Sequence, residues 1–159
     1  MLIRNIKEFL EKTKSNKILA LDMGKKKIGI AISDPSHKIV TPFEVLKKNK
    51  YYLKELLLII NDFNVGGILI GLPKTDNDKN KMCQMVRDLG VNIDKFLSEN
   101  NFDLPIFFWD ESYTSFEAEE ITKDFFRNTK EQNKHIDKFA AKLILDDFFN
   151  ENLDEKKNY

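Results

Sequence analysis

The chain has 159 residues, 42% apolar and 33% charged, with one cysteine and 26 basic side chains balanced by 26 acidic ones. That composition describes one globular domain with a substantial core. It excludes an internal disulfide and, with only Cys83, His37 and His135 on offer, a structural zinc site. No apolar run approaches the roughly 18 residues of a membrane span, and no leader-like segment opens the chain. With the lone cysteine, this gives a cytoplasmic location as the expectation. Zero net charge argues against a polyanion partner, but residues 1–50 hold 12 Lys/Arg against 5 Asp/Glu. The asymmetry fits a basic face beside an acidic site, and equally an ordinary solvated surface.

In chain order, Ile3, Ile6, Phe9 and Leu10 have helical spacing, which predicts a short helix over 2–14. Two β-branched runs, Ile18–Leu21 and Ile28–Ile32, predict strands joined by a connection longer than two residues around Gly24. Lys38–Leu46 reads as a third strand, with Pro42 suiting an edge. Leu53, Leu56, Leu57 and Ile60 mark an amphipathic helix over 51–64, with Gly66-Gly67 as its stop. Ile68–Ile70 is a short buried strand. A helix over 77–100 follows, its Met82 and Met85 serving as core. Leu104–Trp109 is a fifth strand, and Thr114–Glu117 a capping box opening a helix to about 128. The last helix, over 133–150, has Ile136, Phe139, Ala140, Leu143 and Ile144 on its apolar face. The order predicts a mixed five-stranded α/β sheet flanked by helices. Residues 1–16 form an N-terminal helical extension, 17–152 the domain, and 153–159 a disordered tail.

Acids recur where the pattern calls for apolar or small residues. Asp22 ends the first strand of the hairpin, Asp110-Glu111 ends the strand after the 77–100 helix, and Asp137 sits near the start of the last helix. Ala140 and Ala141 share its side of that helix and would allow a close approach to the sheet. Neighbouring strand residues point to opposite faces, so only one of Asp110 and Glu111 can share a site with Asp22. Converging carboxylates repel and call for a cation, and Mg²⁺ suits carboxylates and phosphate oxygens. Taken singly, each acid also fits a turn or a helix cap.

The stretch Leu21–Asp34, Leu-Asp-Met-Gly-Lys-Lys-Lys-Ile-Gly-Ile-Ala-Ile-Ser-Asp, resembles the opening motif of the YqgF family, RuvC-like nucleases of the ribonuclease H-like fold. The resemblance continues in Gly71-Leu72-Pro73, Asp110–Ser115 and Ile136–Ala141, in the same order. It implies a metal-dependent nuclease acting on structured nucleic acid, with precursor 16S rRNA favoured over DNA (Holliday) junctions, and a homodimer as one assembly. By motif position, Asp22, Glu111 and Asp137 would be the catalytic residues binding Mg²⁺ or Mn²⁺, with Asp110 in support. Lys25, Lys26 and Lys27 would hold nucleic acid. Where the family has arginines this chain has Lys27 and Ser112, and lysine cannot reproduce a bidentate phosphate contact. The loop Lys74–Asp78 also adds two acids. Two other classes compete with the nuclease: a non-catalytic module of the same fold that binds RNA or a ribosomal partner, and an ATP-binding relative resembling sugar kinases.

Overall fold

The protein is described here from a computed structural model, which covers residues 1–73, 79–110 and 129–153. Strands β1 (Leu2–Ile3), β2 (Lys17–Met23), β3 (Lys27–Ser33), β4 (Val40–Lys47), β5 (Val65–Leu72) and β6 (Ile106–Asp110) form one sheet in the order β1-β6-β5-β2-β3-β4. Strands β2, β5, β6 and β1 run parallel, and β3 and β4 are antiparallel additions at one side. The described helices are α1 (Ile6–Lys12), α2 (Tyr52–Asp62), α3 (Lys79–Glu99) and α4 (Thr129–Asn152).

The period-2 alternation of the central strands sorts the core into two layers. Leu19, Leu21, Ile68, Ile70, Ile28 and Ile30 pack with Leu56, Ile60, Val86 and Ile93 of α2 and α3. Ile18, Ala20, Ala31, Leu69 and Phe107 pack on the other side with Phe9 of α1 and with α4. That second layer is aromatic at its centre. Phe148 meets Phe9 edge-on at 5.9 Å and Trp109 edge-on at 5.3 Å. The Trp109 indole N–H also donates to Asp147 Oδ2 at 3.2 Å.

The mixed sheet flanked by helices is as the sequence predicts, with Pro42 on an edge strand. Several details differ. Leu2–Ile3 is a sixth strand, paired with Ile106–Phe107, so the first helix begins only at Ile6; two residues are too few to show a period. Gly66-Gly67 lies inside β5 and does not stop α2, which ends before Asn64 in a left-handed conformation (φ 53°). A Cβ at residue 67 would stand 2.4 Å from Thr13 Cγ2, so glycine there admits the segment after α1. Strand β4 starts at Val40, not Lys38, because Asp34 ties residues 34–39 into a turn. Helix α4 starts four residues earlier than its pattern suggests. Ala141, Ile144, Leu145, Phe148 and Phe149 are its buried apolar positions, and Ile136, Phe139, Ala140 and Leu143 are half-buried. The capping box at Thr114–Glu117, the helix to 128 and the tail from 154 lie outside the described residues.

Candidate active site

Asp22 is a ladder residue of β2, paired with Gly29 of β3, and half-buried. It is therefore no turn residue. Ile18 and Ala20 belong to the α4 side of the sheet, and alternation puts Asp22 on that side too. Leu21 pairs with Ile70 of β5, so the next residue along that strand is Gly71. Asp22 thus stands between glycines on both neighbouring strands, where a ligand can come close to the backbone. It also lies at the C-terminal ends of the parallel strands β2, β5 and β6, the end at which open α/β sheets bind ligands.

The hairpin beyond Asp22 is tighter than its sequence suggests. The Gly24 amide donates to the Lys27 carbonyl at 2.8 Å, leaving only Lys25 and Lys26 at the tip. A Cβ on residue 24 would stand 2.9 Å from that carbonyl oxygen, so the turn requires glycine. Lys25, Lys26 and Lys27 are all exposed. Lys48, which sequence reasoning missed, pins this tip. Its amide donates to the Lys26 carbonyl at 2.8 Å, and its ammonium donates to the Gly24 carbonyl at 3.1 Å. No local signal announces that contact, because it depends on the register of β4 against β3.

Asp110, the last residue of β6, is exposed and pairs with Leu72. It shares the parity of Ile106 and Phe108, which pack towards α2 and α3. Asp110 and Asp22 therefore lie on opposite faces of the sheet. Glu111 lies outside the described residues. Residue 137 is the ninth of the 24 in α4, two turns past the position where an acid caps a helix. The C-terminal part of α4 is fixed by Phe149, which stacks on His37 of the β3–β4 turn at 4.9 Å, at the sheet end away from Asp22. Twelve residues of helix span roughly 18 Å. As α4 packs across β3, β4 and β2, its N-terminal half runs towards the Asp22 end.

A carboxylate with open backbone on both sides offers hard oxygen donors and space for a hydrated ion, which suits Mg²⁺ or Mn²⁺. Among the described residues no three His, Cys, Asp or Glu side chains form a metal-binding group. Also among them, no helix is long and apolar enough to cross a membrane.

Sheet order, helices on both faces and an acid ending the central parallel strand define a protein of the ribonuclease H-like fold. A solved structure, RuvC of T. thermophilus in complex with a Holliday junction substrate, superposes with a TM-score of 0.52 over 86% of this chain and 95% of that one, at 11% identity. The chain belongs to the RuvX family, whose description is Holliday junction resolvase and whose model matches residues 16–151. Relatives named "Putative pre-16S rRNA nuclease" include one from Pelagibacter ubique, 34% identical over 89% of this chain and 94% of its own length. Another from Roseobacter denitrificans is 33% identical over 91% and 90%.

Proposed function

We propose that this protein is a metal-dependent nuclease that hydrolyses phosphodiester bonds of structured nucleic acid and trims the ends of precursor 16S rRNA. The observation that carries the reading is Asp22, held between Gly29 and Gly71 at the C-terminal end of the central strand, in a chain whose relatives bear that nuclease name. Residues 17–152 are the catalytic unit, and 1–16 an addition that lends β1 and Phe9 to the sheet and core.

Asp22, Glu111 and Asp137 would hold Mg²⁺ or Mn²⁺, and Asp110 would support from the opposite face. A divalent ion there supplies Lewis acidity to the phosphodiester and lowers the pKa of the attacking water. The chain's own part is to fix carboxylates on rigid elements, a strand and a helix, and to offer Lys25, Lys26 and Lys27 as counter-charges to the phosphate backbone. An rRNA substrate implies action in the cytoplasm.

Purified protein should cut a precursor 16S rRNA end in Mg²⁺ and stop on EDTA addition, and Asp22→Asn should slow the cut by orders of magnitude. Full activity in Asp22→Asn would sink the assignment. The family's description favours a second substrate, a four-way DNA junction. Offering both substrates to the same enzyme decides between them by relative cleavage rate.

A further inference from the structure

Strands β3 and β4 place a second feature next to Asp22. Lys27 of β3 pairs directly with Lys47 of β4, and both are exposed. Like charges opposite each other across an antiparallel pair, with Cβ atoms roughly 5 Å apart, oppose the pairing. No ion pair or side-chain hydrogen bond among the described residues relieves this one.

A β-bulge produces the juxtaposition. Ala31 pairs with Pro42 but Ile30 with Glu44, so Phe43 is the extra residue. Without it, Glu44 would oppose Gly29, beside Asp22, and Leu46 would oppose Lys27. The bulge instead moves the carboxylate of Glu44 to the other face and brings Lys47 to the face of Asp22, as bulges re-aim side chains. The pair lies two ladder rows beyond Asp22 and Gly29, past Met23 and Ile28, and so on the same face; its neighbour just past the end of β2 is Gly24, which has no side chain to stand between.

We infer that Lys27 and Lys47 form a two-ammonium clamp for a backbone phosphate of the nucleic acid, two ladder rows from Asp22 on the same face of the sheet. This deepens the nuclease reading and rests on it. The bound phosphate relieves the repulsion that the free protein carries. The Lys48 contacts to Gly24 and Lys26 hold the two strands in register.

The test is binding of a labelled RNA duplex with single-stranded ends, in EDTA, titrated with salt. It compares wild type, Lys27→Ala, Lys47→Ala, the double variant, Lys47→Arg, and Lys95→Ala on the outer face of α3 as a control. Lys47→Ala should lower the slope of log affinity on log salt by about 1, weakening binding about eightfold at roughly 0.1 M salt and hardly at 1 M. Lys47→Arg should bind like wild type, and the double variant should lose less than the product of the single losses. Lys47→Ala should melt no lower than wild type. If wild type binds but Lys47→Ala behaves like Lys95→Ala, or if Lys47→Ala melts lower, the clamp is overturned and the nuclease reading stands. If wild type binds a four-way DNA junction and not the RNA, with the same loss in Lys47→Ala, the clamp stands and the rRNA substrate falls. Binding of neither overturns both.

Discussion

Asp22 and Asp34 stand near the two ends of the β2–β3 hairpin, and their surroundings could hardly differ more. Asp34 accepts from the amides of Lys38 and Ile39, both at 2.8 Å, and from the Ser36 hydroxyl. Slight burial pushes its pKa up, but these hydrogen bonds outweigh that and hold it down at about 2. Its oxygens are committed to closing a turn. Asp22 is flanked by Gly29 and Gly71, and two lysines face each other two rows further on. Asp34 builds structure with its backbone hydrogen bonds, whereas the proposed function gives Asp22, set among glycines, the part of meeting a ligand. Both acids fall in one motif, and only the fold separates their roles.

Substitutions at and around the two acids should separate their roles. The largest effect is expected from Phe148→Ala. This fully buried ring joins α1, β6 and α4, and its loss should cost about 3–5 kcal/mol in chemical denaturation. Because α4 packs on β2, the strand that carries Asp22, and reaches His37 through Phe149, the damage should extend to both acids, lowering stability and cleavage together. Next, Asp22→Asn should reduce cleavage by roughly 10²–10³-fold, on the scale of losing one charge-stabilising group in an active site. It should leave the melting temperature unchanged or raised, since removing a charge from an acidic site relieves repulsion. Asp34→Ala should do the reverse, keeping cleavage while losing about 1 kcal/mol, with its charged hydrogen bonds discounted for exposure. The smallest effect is in acid. A carboxyl held at about 2 when folded and near 3.9 when unfolded contributes stability above roughly pH 4, lost as pH falls towards 2. Asp34→Asn should flatten that part of a stability–pH curve, and an unchanged curve would show that the turn does not depend on the charge.

Much of this was legible in the sequence because it repeats. The alternation in β2 and β3 and the helical spacing of α2 and α3 announce themselves, and an acid ending an apolar strand marks Asp22. What stayed hidden has no period. Leu2–Ile3 becomes a strand only because β6 offers it an edge. Gly66-Gly67 looks like a helix stop until Thr13 is packed against it. The bulge at Phe43 leaves no trace in composition, so nothing in the sequence puts Lys47 opposite Lys27, and the basic rim it suggests is Lys25–Lys27 alone. The opposite faces of Asp22 and Asp110 follow from alternation once the strand ends are known.

In the proposed function Asp22 anchors a divalent metal on the α4 side of the sheet. A crystal of the protein soaked in Mn²⁺ tests it most directly, by the anomalous signal of the ion. The expected result is a peak bonded to an Asp22 carboxylate oxygen, shared with Glu111 and Asp137, and absent from Asp22→Asn crystals. A crystal that takes up Mn²⁺ only elsewhere, or none at millimolar concentration, would contradict it.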